Sequence, residues 1–593
     1  MGDDVLKTKK TELFPCIIII TAFLFLLSQT WLKWGDLIID TGSQLWLPNE
    51  LLKGKILYKD IVSLYGFLPA YLIAAFYKVF GANINTLVCT GIAVTLIVSF
   101  TIYRIARLFL NQLLSTVLVI NFLFVFAFGH YDSVGIFNFI LPYTAAATFF
   151  MMFTALSLYF FLKFIFTENE KNLPAWALLL TAAFLCRPES ALAVWPAFIL
   201  GGFVLAAKQR KANRLKITAY TISPLLLAIL CYGLFFSATH TFYNFKETVL
   251  GGIRLISATP LSKRWSGLDN IPLSLLKISA SFLFNIIIFF GLALACRIAN
   301  QFSNNKNNPA PAIIPFLTAF VFFIVSKQSS VYRIQYYCLT LIPLCGTIAY
   351  SLCAFNHTAS KRSMGLLVLS AASSLIMLRI FLAASPYLLG FSLLTLPLVC
   401  YYIFFGDLLK TALENHFKID YRTLPFAIAV FLVLMIIPFW ERSSNNYKHQ
   451  NKLITTSKGS LYCYNTAQTD IFWKSVDYLK QYTPKNSTVV VFPEGSGINF
   501  FAERDSPLKY PNFVPVLIEL FGEEKILSNI KSTNIDYILI ISRSTGEMGL
   551  ASFGVDYAKK IQKWINDNYV PVKQFGAKPY ASDTFGILIL KRK

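Results

Sequence analysis

The feature that most constrains this chain is a succession of apolar runs, each roughly 17–25 residues long, that fills residues 13–440 with few breaks. A run of that length is what a helix needs to cross a hydrocarbon core of about 30 Å. Within that core each backbone amide must find its partner inside its own segment, so helices are the natural spanning elements. The chain therefore reads as an all-α polytopic membrane bundle of about thirteen transmembrane helices. Composition agrees: 56% of the 593 residues are hydrophobic and 14% are charged. Ordinary soluble domains carry about 25% charge, so a conventional water-soluble enzyme is excluded.

Charge is lopsided, with 53 Lys and Arg against 30 Asp and Glu, a net +23. Nucleic acid is not the reason. The cations stand in short loops between apolar runs, where membrane orientation and anionic lipid account for them. The sharpest marker is KQRKANRLK at 208–216, which should stay cytoplasmic. It places the N-terminus inside and, after an odd number of spans, the C-terminal part outside. Lys7, Lys9 and Lys10 precede a long apolar run without a small-residue cleavage site, the pattern of a retained first span. Of the ten cysteines only Cys463 falls in the C-terminal part, and no paired Cys/His spacing suggests a metal site.

The expected domains are 1–440, a transmembrane domain, and 441–593, an extracytoplasmic α/β domain. In the tail, Val489–Phe492, Tyr537–Ile541 and Phe585–Leu590 read as strands, and 470–482, 515–530 and 555–568 as helices; such alternation argues a small layered α/β fold. PEGSG at 493–497 lacks the glycine and lysine pattern of a phosphate loop, so the tail reads as a lid or docking module. Two segments interrupt the spans. Residues 33–85 are too long for a mere connection, and 45–52 and 69–80 can lie as helices along the interface. Arg187-Pro188-Glu189 divides two apolar stretches. A charge at the bilayer centre costs about 2.5–3.5 kcal/mol, so these two side chains should pair or face a wet cavity.

Acidic residues are scarce outside the tail, which makes those on the expected outer side informative. Asp36 and Asp40 follow the first span and share a helix face if it continues; Asp60 follows in YKD, and His130 and Asp132 in the second outer loop. A carboxylate there can act as general base toward a hydroxyl within hydrogen-bond reach. Each Asp can equally be a helix cap, where Asp is favoured.

The order of these residues resembles a known family. Asp40-x-Gly42, Pro48, Gly54, Leu57-Tyr58-x-Asp60 and Tyr65-Gly66 resemble the first outer loop of bacterial GT-C-type glycosyltransferases, the superfamily of protein mannosyltransferases and aminoarabinose transferases. Asn138-Phe139, Pro142-Tyr143, Arg187-Pro188-Glu189, Arg333 with Tyr336-Tyr337, PEG at 493–495 and FGxDY at 553–557 look like later landmarks. Where Arg-Glu often follows DxG, this chain has Ser43-Gln44, and Tyr65-Gly66 is followed by Phe67 rather than proline.

The resemblance implies inverting transfer of a sugar from a polyprenyl-phosphate carrier to an acceptor hydroxyl outside the cytoplasm of a bacterial inner membrane. The acceptor would be a lipid, a glycan or a protein. Asp40 is the expected base, with Asp132 as second carboxylate and Asp36 as the alternative base. No cofactor is required on this reading; the alternative is a divalent ion held by Asp40 and Asp132. The leaving phosphate gains charge as the glycosidic bond breaks, so fixed cations favour the transition state. Candidates are Arg333, Arg187, Lys263, Arg264 and Lys327. Tyr58, Tyr65, Asp60, His130, Glu189 and Tyr336 are the expected loop or sugar contacts. The rival functions are a transporter or flippase of lipid-linked glycans and a non-catalytic assembly subunit. A transporter would place its site near the midplane of inverted repeats, and neither feature is visible in the sequence.

Overall fold

The structure, a computed structural model, describes residues 12–131, 134–207, 211–241, 260–301, 310–355, 360–417 and 423–593. Among these residues nine helices are long and apolar enough to cross a bilayer, and shorter apolar helices fill gaps between them. The first is α1, Leu13–Thr30, most of whose surface faces outward from the protein. After it come α2 (Asp40–Leu52) and α3 (Leu68–Phe80), too short to span and placed where interfacial helices are expected. The bundle continues through α4 (Ile84–Ala106), α5 (Gln112–Asn121), α6 (Ala145–Thr167), α7 (Asn172–Cys186) and α8 (Pro188–Ala207). Later helices include Ile271–Gln301, Lys361–Ile376 and Leu424–His449.

Local chemistry fixes the entries to these helices. The Asn83 side chain accepts from the Thr86 amide at the start of α4, and Thr144 does the same for Ala146 at α6, satisfying amides that have no partner within the helix. Gln44 adds a second cap to α6, its Oε1 accepting from the Ala145 amide at 2.9 Å. Ser43 bonds Ser496 at 3.1 Å. The two residues that depart from the family pattern thus tie the first loop to α6 and to the C-terminal domain.

That domain begins with an antiparallel ribbon, β1 (Gln450–Thr456) and β2 (Gly459–Tyr464). A four-stranded sheet follows, with β3 (Val489–Phe492), β4 (Tyr537–Ile541), β5 (Tyr569–Gly576) and β6 (Gly586–Arg592) in the order β3-β4-β6-β5. β3 and β4 run parallel; β6 is antiparallel to both β4 and β5. Strand alternation sends one set of side chains to each face. Val489, Val491, Leu539, Ile541, Ile587 and Ile589 join the same apolar core as the membrane helices. Val490, Phe492, Ile538, Ile540 and Leu590 form a second core with helices Pro515–Phe521, Glu523–Lys531 and Lys559–Asn568. The domain is therefore fused to the bundle through one face of its sheet.

The sequence-based expectations need four corrections here. The helix expected over 515–530 is broken at Gly522, whose φ of +84° suits glycine. β1, β2 and β5 were not expected, because they are polar or carry Pro571. Of the apolar runs expected to form spanning α-helices, that over 364–383 is α-helical only to Ile376 and continues as a 3-10 turn, Leu378–Ile380. That over 336–355 opens within a 3-10 helix, Val331–Thr340, before turning α-helical.

The tightest join between the two parts is backbone on backbone. A Cβ built on Gly497 would stand 2.1 Å from the Leu37 carbonyl oxygen and 3.1 Å from the Cα of Gly42. Gly497→Ala is expected to force the domain off the first loop and cost about 1–3 kcal/mol, read as a lower Tm of the detergent-solubilised protein. Gly233→Ala, in a helix with nothing within 4 Å of its Cβ, is the control and should not lower Tm.

Candidate active site

Asp36 and Asp40 flank the turn into α2. Asp36 is spent on the turn ahead of α2: its Oδ1 accepts from the Ile38 amide at 2.9 Å and the Ile39 amide at 3.4 Å, and its own amide donates to Thr41 Oγ1. Asp40, at the first position of α2, is half-buried, and its carboxylate makes no hydrogen bond or ion pair among the described residues. Burial pushes its carboxyl well above the ordinary value, with the charges of Glu494 and Asp36 adding to the rise and Arg543 opposing it. Asp36 is raised as well, chiefly by burial, although its two backbone hydrogen bonds hold it back. Two carboxylates in one loop thus have different environments: one spent on backbone, one free.

Tyr65 links Asp40 to a cationic wall. Its ring lies within electrostatic reach of Asp40, Arg187, Arg379 and Tyr143, and the Arg187 guanidinium sits over it at 5.8 Å. Tyr58 is buried and donates to the Tyr65 carbonyl at 2.6 Å, so it shapes this loop from beneath. The loop is pressed onto the end of α7: the Gly66 amide donates to the Cys186 carbonyl at 3.0 Å, and a Cβ on Gly66 would meet the Leu185 oxygen at 2.1 Å. Arg187, in the break between α7 and α8, is 2% exposed. Its Nε donates to Glu189 at 2.9 Å and its Nη1 to the Tyr143 hydroxyl at 3.3 Å, the pairing its sequence position demands.

Arg379 is the residue that sequence reasoning missed. It lies in the 3-10 turn after helix Lys361–Ile376, its guanidinium 5.9 Å from the Trp265 ring on helix Pro260–Ser266. It makes no hydrogen bond or ion pair among the described residues, and its electrostatic neighbours are Tyr143, Arg187, Tyr65 and Glu189. Two guanidiniums therefore face one carboxylate, Glu189, around Tyr65 and Tyr143. The excess positive charge in a part-desolvated setting favours an anion there.

The remaining expected residues are placed elsewhere or do structural work. Asp60 Oδ2 accepts from the Ile56 amide at 2.8 Å and closes a turn. His130 is buried, its amide donating to Ser443, its carbonyl accepting from Asn446 and its Nε2 3.1 Å from the Tyr464 hydroxyl. It pins the second loop to helix Leu424–His449 and to β2. Tyr336 is fully buried and donates to Asn121 at 2.9 Å, likewise a packing residue. Lys327 pairs with Glu441 at 2.7 Å. Lys263 and Arg264 are exposed on helix Pro260–Ser266. Arg333 is exposed and lies over Tyr332 at 5.9 Å, with Tyr387 as its other electrostatic neighbour. Asp132 lies outside the described residues, and the metal alternative that uses it lies there too. Among the described residues no three His, Cys, Asp or Glu side chains converge as metal ligands.

Residues 65–236, under a third of the 593-residue chain, match the family described as dolichyl-phosphate-mannose–protein mannosyltransferase. No curated protein matches the chain in sequence. Among solved structures, the apo oligosaccharyltransferase of Archaeoglobus fulgidus superposes with a TM-score of 0.50 at 11% identity, over 89% of this chain and 70% of that one. ArnT from Cupriavidus metallidurans, solved bound to undecaprenyl phosphate, gives 0.48 at 11% identity over 98% of each chain. The matched family covers the loops that carry Tyr65, Tyr143 and Arg187, and the oligosaccharyltransferase match extends the fold over most of the chain. Over residues 65–236 the chain is thus similar to that mannosyltransferase family, and over most of its length it shares the fold of the archaeal oligosaccharyltransferase.

Proposed function

We propose that the chain transfers a sugar, with inversion, from a polyprenyl-phosphate carrier to an acceptor hydroxyl on the extracytoplasmic side of a bacterial inner membrane. The observation that supports this reading is the Asp40 carboxylate, without hydrogen bond or ion pair among the described residues, within electrostatic reach of Tyr65, whose other charged neighbours are the guanidiniums of Arg187 and Arg379. The matched family is named for dolichyl-phosphate-mannose, a polyprenyl-phosphate sugar, which supports a donor of that class.

The chemistry assigns each group a step. The acceptor hydroxyl enters against Asp40, which takes its proton as the oxygen bonds to the anomeric carbon. A carboxyl held above its ordinary value is a better match to that proton than a solvent-exposed one. The bond to phosphate breaks on the opposite face, so the product carries the inverted configuration. The departing phosphate moves from one negative charge toward two, and Arg187 and Arg379 stabilise that change more than they stabilise the bound donor. Glu189 and Tyr143 hold Arg187 in place.

The test is to incubate the purified protein with a panel of polyprenyl-phosphate sugars and candidate acceptors. Release of bare carrier and an inverted anomeric centre by NMR are expected for at least one donor. Failure to release carrier or modify an acceptor from any of them, by folded protein, would overturn the reading.

A further inference from the structure

The sequence motif PEGSG remains unused by this mechanism, yet it lies on the catalytic loop. Gly497 touches Gly42 backbone to backbone, Ser496 bonds Ser43 at 3.1 Å, and Glu494 stands two residues before Ser496. Glu494 is 5% exposed. Arg543, in the loop after β4, donates from Nε to Glu494 at 2.8 Å and from Nη2 to Glu547 at 2.5 Å. A buried carboxylate held by an arginine that a second carboxylate also holds is a rigid, fully partnered device. It meets α2 at the end that carries Asp40.

We propose that Glu494, carried on the C-terminal domain, is a positioning residue for Asp40: a second negative charge that Asp40 must face in order to take the acceptor's proton. The proposal rests on the reading of Asp40 as the base. The groups around Asp40 are Asp36 from its own loop, Glu494 and Arg543 from the C-terminal domain, and Tyr65 from the loop after α2, with Arg187 and Arg379 beyond Tyr65. Asp36 is occupied by backbone amides, and the arginines oppose the effect. Glu494 is the largest charge acting to keep a proton on Asp40, burial aside. Its own carboxyl is pushed up to about 6 by burial, with Arg543 holding it down, and the 2.8 Å ion pair with Arg543 favours its charged form. Like charges held close in a desolvated setting raise proton affinity, and removing one shifts the other in a known direction. The C-terminal domain thus has a chemical reason for being fused to the bundle: without it docked, Asp40 is a weaker base.

The experiment compares pH profiles of kcat/KM for full-length wild type, Glu494→Gln, Glu494→Asp and Arg543→Gln, using the donor identified in the panel. Asp40→Asn is run in parallel. Glu494→Gln should move the acid limb to lower pH by about one unit and lower the plateau severalfold. Glu494→Asp should retain the wild-type limb. Arg543→Gln, which removes the opposing charge, should move the limb to higher pH. A disturbed fold would not give shifts of opposite sign, and Arg543→Gln gives a second reading if Glu494→Gln does not fold. Limbs that coincide with wild type in both variants, with Asp40→Asn inactive, would overturn the proposal and leave the base assignment standing. An active Asp40→Asn would overturn both.

Discussion

Asp40→Asn is expected to lower turnover by about 10²–10⁴-fold while leaving carrier binding unchanged and the protein no less stable. The three outcomes belong together because they share one cause. The Asn amide keeps the shape of the side chain and loses its ability to accept a proton, so the chemical step fails. On the proposed function the donor phosphate rests on Arg187 and Arg379, not on Asp40, so binding of polyprenyl phosphate measured by native mass spectrometry should match wild type. Stability follows from the sign of the shift. The folded-state value of Asp40 is raised, so the folded protein holds this proton more tightly than the unfolded chain does. The ionised carboxylate therefore opposes folding once pH rises above the unfolded value of about 3.9, and the penalty is complete above the folded value. The neutral amide removes that penalty, so at neutral pH the variant should melt at or above the wild-type temperature. Catalytic residues held at a cost to stability behave in this way. A variant that loses activity together with a large fall in Tm would mark Asp40 as structural, and a fully active variant would move the base to Asp36 or Asp132.

The membrane bundle was legible in the sequence because apolar runs have only one way to satisfy their backbone in lipid, and the runs lie in helices. Asp40 was legible from the spacing of the DxG loop. Its distinction from Asp36 was not, since both can cap or catalyse, and the structure separates them by showing which oxygen is spent on the amides of Ile38 and Ile39. Arg379 was hidden because LIMLRIFLAASPYLLG is apolar on both sides of it and reads as one continuous span. The signal was present all the same: one arginine in an otherwise apolar run costs about 2.5–3.5 kcal/mol at mid-bilayer, so the run had reason to break there. For His130 the sequence shows a histidine beside an aspartate in an outer loop, and only the structure shows its packing against Tyr447 and Tyr464. Glu494 and Arg543 lie far from Asp40 in sequence; their approach depends on a glycine pair, Gly42 and Gly497, whose contact has no local signature.

Arg379→Ala should lower kcat by about 10²–10³-fold, the loss typical of removing one fixed donor from a developing charge. The larger part should fall on turnover rather than on KM, because the phosphate gains its second charge only as the sugar leaves. Arg379 has no carboxylate of its own and stands near Arg187, so truncation relieves a like-charge contact and strands no partner. Its Tm should therefore hold or rise. Arg187→Ala should behave differently: it leaves Glu189 and Tyr143 without their donor, and a broken buried pair costs about 3–5 kcal/mol, so both activity and stability should fall. Arg379→Lys should recover part of the rate, since an ammonium supplies the charge without the planar fork. Arg333→Ala is the contrast, an exposed cation over Tyr332, and should leave kcat within a few-fold of wild type. If instead Arg333→Ala abolishes turnover while Arg379→Ala leaves it unchanged, the donor phosphate sits against the Tyr332–Tyr387 wall, and the site around Tyr65 is not where the glycosidic bond breaks.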